Sequence, residues 1–221
     1  MIFRMMETGA LMVNTYIVGD DMTSESVVFD PGGHVDKILS VLREDDLHLK
    51  YIINTHGHFD HVGGNKELQK ETGAPIMIHK DEAPDLLLAK SKGAMLGYRV
   101  DDSEASGFIE VGDLIQVGTI TFKALGLDGH SRGGLGFLFE GEFDLKDSKE
   151  TRNAVICGDA LFAGSIGRTD FPGGNLELLL ENIRTQIFVL PDDTLVFPGH
   201  GPITTVGREK RYNPFFQDNM Y

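Results

Sequence analysis

A mixed α/β chain, α+β in arrangement, with two mixed β-sheets packed together and helices on the outside, is the architecture this sequence predicts. Three observations carry it. β-Branched runs closed by turn residues recur in both halves, as in MVNTYIVGD, SESVVFDPGG, TITFKALGL, LGFLFEG and NAVICGD. Between such runs lie stretches with helical periodicity, such as HVDKILSVLRED with Val35, Ile38, Leu39 and Leu42 on one stripe. No linker separates the halves, and 221 residues suit a single domain spanning 1–221.

The remaining elements follow in order. YIIN reads as a short buried strand, GGNKELQKETG as a helix stopped by Gly73, and PIMIHK as the next strand. DEAPDLLLAKS begins with acidic residues and Pro84, as helices do. Residues 91–107 are rich in Gly and Ser with little periodicity and read as a loop or lid. Strands resume at FIEVG and LIQVG. EFDLKDSKETR is a charged, hairpin-like excursion with a solvated tip. NLELLLENIRTQIF reads as one amphipathic helix, TLVFPG as a final strand, and VGREKRYNPFF as a closing helix that ends near Pro214.

Composition excludes several classes of function. A formal charge of -14 leaves no basic face for nucleic acid or an anionic membrane surface. The first residues are interrupted by Arg4, Glu7 and Asn14 and do not form a signal peptide, and no apolar run approaches the roughly 18 residues of a spanning helix. Cys157, the single cysteine, excludes an internal disulfide and a cysteine-based zinc knuckle. A cytoplasmic location is expected. Oligomeric state is not legible.

The chemistry concentrates in IINTHGHFDHVGG, residues 52–64. Of eight histidines, three fall between positions 56 and 61 beside one aspartate. His56 and His58 alternate and share a face where strand geometry persists. A glycine-bracketed turn brings Asp60 and His61 round from the other side. Imidazole and carboxylate donors suit zinc, iron or manganese. Further donors end later apolar strands: His130 after FKALGLDG, Asp159 after AVICG and His200 after TLVFPG. Functional groups are commonly presented on loops at strand ends. His34, His48 and His79 read as structural or surface residues, and Cys157 as a small buried side chain.

With THGHFDHVGG, GH at 129–130, GDALF at 158–162 and PGHGP at 198–202, the chain resembles the metallo-β-lactamase superfamily, and within it the glyoxalase II-like hydrolases. The resemblance runs along nearly the whole chain and implies an αββα sandwich with the site at one edge of the sheets. Matched residue by residue, it assigns His56, His58 and His130 to one divalent metal and Asp60, His61 and His200 to a second. Asp159 would bridge both; the metals would be zinc, or iron or manganese. LFAGSIGRTDFPGG, at 161–174, and PGHGPITTVGREKRYNPF are similar to short bacterial hydroxyacylglutathione hydrolases. The C-terminal helical domain that supplies glutathione contacts in longer relatives has no counterpart in these residues. The family's Gly-His-Thr-Pro-Gly loop reads GHSRGG here, with Ser131 as the small hydroxyl and Arg132 altering the pocket wall.

The activity so implied is thioester hydrolysis, of S-lactoylglutathione or a related hydroxyacyl-thiol, by attack of a metal-bridging hydroxide that Asp60 helps to orient. A thiol with a pKa near 8.5 leaves without a strong acid. Asp30, Thr55 and Asp170 are candidates to hold the ligating histidines through their second nitrogens. Arg168, and then Arg208, Lys210 and Arg211, are candidate contacts for an anionic small-molecule substrate. Phe162, Phe171 and Tyr98 could line an apolar wall, although core packing is the stronger reading for the two phenylalanines. The resemblance leaves two other activities open. One is a mononuclear-iron persulfide dioxygenase, whose members share a segment like Gly167–Phe171. The other is hydrolysis of other acyl compounds such as lactones.

Overall fold

The computed structural model of the chain describes residues 1–145 and 148–217. It divides into two compact units, Met1–Glu110 with Gln116–Ile120, and Val111–Ile115 with the chain from Thr121 onward.

The first unit contains a six-stranded sheet in strand order β1 (Ile2–Thr8), β2 (Val13–Gly19), β3 (Glu25–Phe29), β4 (His48–Ile53), β5 (Ile76–Ile78), β6 (Gly107–Phe108). β1, β2 and β3 are antiparallel, whereas β3 to β6 run parallel, so the sheet is mixed. Parallel neighbours need a crossover, and helices supply it. They are α1 (Val35–Glu44), α2 (Phe59–Val62), α3 (Asn65–Thr72), α4 (Ala83–Leu86) and α5 (Ala89–Met95).

The predicted stripe on α1 is the one buried: Val35, Ile38 and Leu42 join Ile17, Val28, Ile52 and Ile76 of the sheet in one apolar cluster. Each such side chain contributes about 1.5–3 kcal/mol on burial. Leu68 and Leu86 complete the cluster from α3 and α4. On the opposite strand parity Tyr16, Val18, Val27, Phe29 and Ile53 are also buried, which is why β2 and β3 read as near-continuous apolar runs.

The second sheet has the order β14 (Thr204–Thr205), β13 (Leu195–Pro198), β10 (Ser148–Gly158), β9 (Leu135–Leu145), β8 (Ile120–Gly126), β7 (Leu114–Val117), and a separate hairpin pairs β11 (Leu161–Phe162) with β12 (Ser165–Ile166). β10 and β13 are parallel and β9 is antiparallel to both its neighbours, so this sheet is mixed too. One face packs against α6 (Leu176–Asn182) and α7 (Val206–Tyr212) through Leu125, Val155, Val196, Leu179 and Val206. The other parity carries a run of tilted aromatic pairs, Phe122 with Phe139, Phe139 with Phe143, and Phe143 with Phe197.

Several expectations needed correction. β1 carries no period-2 signal, because MIFRMMET lacks alternation; seven cross-strand pairs with β2 make it a strand. The helix expected across DEAPDLLLAKS breaks into α4 and α5. The loop or lid at 91–107 begins as helix, since α5 runs to Met95. Its remainder is anchored: Asp102 accepts Lys90 N–H, the Ser103 N–H reaches Leu86 C=O, and Ser106 Oγ accepts Ile76 N–H. The expected helix at 175–188 winds as a π-helix over Ile183–Ile187, which still buries Leu179, Ile183 and Ile187. The charged excursion is a continuation of the β9–β10 hairpin, and its expected tip at 146–147 lies outside the described residues. Among the described residues no helix is long and apolar enough to cross a membrane.

The turn at Gly118 is held to the first unit by carboxylates. Gly118 N–H donates to Glu25 and Thr119 N–H to Asp20. Gly118 has φ +56°, and a Cβ there would lie 2.1 Å from Asp20 Oδ2. Burial of Asp20 works to raise its pKa, but hydrogen bonds from Thr119, Met22 and Thr23 prevail and the carboxyl lies below its ordinary range. Glu25 is lowered by its bond from Lys50 and then by that from Gly118. A depressed folded pKa stabilises the fold above the unfolded value and loses that contribution as pH falls through the folded one. Thermal melts should therefore show wild type losing stability below about pH 4, with a smaller loss in Asp20→Asn/Glu25→Gln. Gly118→Ala should cost at least about 1–2 kcal/mol at neutral pH.

Candidate metal centre

In the first unit the site is built at the carboxyl ends of parallel strands, where open α/β sheets present ligands. β3 and β4 end opposite one another at Phe29 and Ile53, so the residues that follow, Asp30 and Asn54–Thr55–His56, emerge together. Asp30 takes a left-handed conformation with φ +48°, which aspartate tolerates better than most residues. Its carboxylate, 1% exposed, accepts Thr55 N–H at 2.7 Å and Thr55 Oγ1–H at 2.6 Å, and meets His61 Nδ1 at 3.0 Å. An ionised carboxylate accepts only, so His61 carries its proton on Nδ1 and turns a lone pair outward at Nε2.

His56 follows the same logic through one relay. Thr55 Oγ1 lies 3.0 Å from His56 Nδ1, but its single proton is committed to Asp30. It can therefore only accept from His56 Nδ1–H, which leaves the Nε2 lone pair of His56 facing His58 Nδ1 at 3.0 Å. His58 caps α2, the short helical turn that carries Asp60 and His61, with Asp60 Oδ2 3.9 Å from His61 Nε2. Asp30 thus orients two histidines at once and itself receives three donors. Burying a carboxylate costs several kcal/mol, which three donors at about 1.5–3 kcal/mol each offset. A second buried carboxylate, Glu82, accepts Gly57 N–H at 2.8 Å and fixes the backbone between His56 and His58. No sequence signal identified Glu82, because it stands 25 residues from Gly57.

In the second unit the parallel pairing of β10 with β13 sets Gly158 opposite Pro198, so Asp159 and Gly199–His200 leave the sheet side by side. Asp159 Oδ2 lies 3.8 Å from His200 Nε2 and 3.7 Å from His130 Nε2. His130 Nδ1 is 2.8 Å from the Arg168 carbonyl, which can only accept, so His130 also presents an Nε2 lone pair. The intervening Gly167 must be glycine: a Cβ would fall 1.8 Å from Asp159 O and 3.0 Å from His130 Nδ1.

These donors fit metal. Ligands about 2.0–2.2 Å from one zinc ion can be no more than about 4.4 Å apart, and the separations within each unit, from 3.0 to 3.9 Å, satisfy that limit. Asp30, His56 and His61 also lie close enough to share an ion. With Asp30 already receiving Thr55 and His61, it is better read as the group that orients those histidines.

Of the other candidates, Thr55 and Asp30 orient histidines as expected, and Asp170 does not. Its carboxylate receives Arg168 Nε and Nη2, both at 2.8 Å, and is held below the ordinary carboxylate range by that guanidinium. The Arg168 guanidinium also sits 3.6 Å above the exposed Phe171 ring, so Phe171 is not a core residue. Lys210 and Arg211 turn to Asp192, and Arg208 to the side of Glu209, which gives this basic group an ion-pairing role on α7. Tyr98 stacks on Phe59 at 5.7 Å, and the half-buried Phe162 meets His200 edge-on at 6.4 Å. Ser131 is buried and Arg132 exposed. Cys157 is buried, with its thiol against the carbonyls of Leu161 and Phe197. His34 accepts Gly9 N–H, and His79 lies beside Asp81, both in structural settings.

The model of the metallo-beta-lactamase superfamily matches residues 8–200. The chain belongs to the metallo-β-lactamase superfamily. Hydroxyacylglutathione hydrolase GloC of Haemophilus influenzae is 33% identical over 210 residues, 93% of each chain. The crystal structure of the BLEG-1 B3 metallo-beta-lactamase is similar with a TM-score of 0.85 and 32% identity, over 98% of this chain and 100% of that one. TTHA1623, solved in a di-iron-bound form, is similar with a TM-score of 0.81 and 32% identity, over 96% and 99%. Two mixed sheets with helices are thus the metallo-β-lactamase fold in this chain, and its His/Asp clusters are those of a metal-binding family.

If Asp30 sets the histidine tautomers, Asp30→Asn places an NH2 group against donors and should lower zinc affinity about 10–100-fold, measured by competition with a chromogenic chelator. Thr55→Ser keeps the relaying hydroxyl and should remain close to wild type.

Proposed function

We propose that this metallo-β-lactamase-superfamily protein is a binuclear metallohydrolase that cleaves thioesters, with S-lactoylglutathione or a related hydroxyacyl-thiol as substrate. The observation that carries the reading is the outward lone pair on His56, His61 and His130, each set by an acceptor behind the ring. His56, His58 and His130 are assigned to one metal, Asp60, His61 and His200 to the second, and Asp159 to both. A single family model spanning both compact units supports their acting as one domain, and the similarity to GloC supports the substrate class. Zinc suits the imidazole-rich set, and the di-iron form of TTHA1623 makes iron the next choice.

Divalent metals so held supply a lowered pKa for bound water and polarisation of the carbonyl oxygen. The chain's own groups do the rest. Asp30 and Thr55 keep the ligand rings from turning, which holds the reacting geometry at no cost during the reaction. Asp60, on the α2 turn, accepts a hydrogen bond from the attacking water and aligns it. The thiolate leaves unaided, with a pKa near 8.5. Arg168 is the basic side chain assigned to an anionic thiol carrier. Its pair with Asp170 is solvent-exposed and weakly held, so an incoming carboxylate can displace Asp170.

The test is hydrolysis of S-lactoylglutathione by zinc-loaded protein beside chelated protein and His58→Ala. Turnover reduced at least about 10²-fold in both controls, as on losing a principal electrophilic group, is the expected result. Absence of turnover with metal bound overturns the thioester assignment; oxygen uptake with glutathione persulfide, or turnover on a lactone panel, then identifies the activity.

A further inference from the structure

Two stretches that stand out in the sequence supply none of the proposed metal ligands or their supports: LFAGSI at 161–166 and REKRYNPF at 208–215. The fold joins them. At the turn of the β11–β12 hairpin, Gly164 N–H donates to Glu209 Oε2 at 2.8 Å and Ser165 C=O accepts from Asn213 Nδ2 at 2.9 Å. Asn213 Nδ2 also donates to Glu209 Oε2 at 2.9 Å, and Thr204 Oγ1 donates to Oε1. Glu209 and Asn213 are 1% and 0% exposed. A buried carboxylate of this kind persists only when fully bonded, and once bonded it rigidifies what it touches.

What the pinned hairpin presents is Phe162. Its neighbours Leu161 and Ile166 turn into the apolar core of the second unit, whereas Phe162 stays half-buried with its ring against His200. An apolar ring beside a proposed metal ligand lies close to where a scissile carbonyl must sit. The uncharged part of a hydroxyacyl-thiol is its acyl group, while an anionic carrier calls for cations.

We propose that Phe162 is the wall on which the substrate's acyl group packs, and that Glu209 and Asn213 are positioning residues that hold it there. This rests on the hydrolytic reading above and adds its specificity determinant. A rigid ring selects acyl groups by size, and a methylene misfit in such a wall is worth about 10–200-fold in discrimination. Glu209→Gln keeps one oxygen for Gly164 and Asn213 and turns its NH2 to the Thr204 hydroxyl, so neutral hydrogen bonds replace the stronger charge-assisted ones and the hairpin loosens.

The experiment compares zinc-loaded wild type, Phe162→Ala, Phe162→Leu and Glu209→Gln. It reads kcat/KM for S-lactoyl- and S-mandeloylglutathione, calorimetric binding of lactate and mandelate, and zinc content. In Phe162→Ala both mandeloyl-to-lactoyl ratios should rise about tenfold, chiefly through KM, at unchanged zinc content. Phe162→Leu should fall between, and Glu209→Gln should move the ratios in the same direction. Ratios within twofold of wild type in Phe162→Ala overturn the wall even where thioesters are hydrolysed. A shifted acid-binding ratio with no thioester turnover by wild type keeps the wall and removes the thioesterase reading.

Discussion

The buried carboxylate of Asp30 is the interaction on which the histidine cluster of the first unit depends. Three donors converge on it from two segments, and one of them relays its direction to a third side chain. Neutral imidazole can carry its proton on either nitrogen, and a ligand with the wrong tautomer offers an N–H to the metal. By accepting from His61 directly and from His56 through Thr55, Asp30 removes that ambiguity for two rings. The parallel pairing of β3 with β4 makes this possible, since it ends both strands at one edge.

The second unit meets the same requirement by other means. His130 is set by a main-chain carbonyl, that of Arg168, and the approach needs Gly167. GRTD therefore serves His130 through its backbone, and the Arg168 side chain stays on the surface against Asp170 and Phe171. A motif of that kind says little about the reaction, because any chemistry that uses His130 as ligand needs the same support. That is why the hydrolase and dioxygenase readings share it.

Buried carboxylates recur as fixings around the site. Glu82 holds the backbone between His56 and His58, and Glu209 holds the hairpin that carries Phe162. Each receives donors from residues distant in sequence, and each is nearly inaccessible to solvent. In a chain of charge -14, these buried acids take hydrogen bonds chiefly from main-chain N–H, hydroxyl and amide groups. The exposed acids take the cations instead, as Asp192 does with Lys210 and Arg211.

The short histidine-rich loop and the donors that follow apolar strands were legible in the sequence, because both are local patterns. So were the apolar stripe of α1, the stop at Gly73 and most strands, whose periodicity reports burial directly. Asp30 and Thr55 could be named as candidates, but the sequence could not choose between them and Asp170. Only the tertiary structure did, since strand pairing sends Asp30 to the histidines and the turn after Gly167 sends Asp170 to Arg168. β1, Glu82, Glu209 and the anchoring of residues 102–106 were invisible for the same reason. Their roles lie in partners that chain folding brings near, and a hydrogen bond between residues far apart in the chain leaves no period in the sequence.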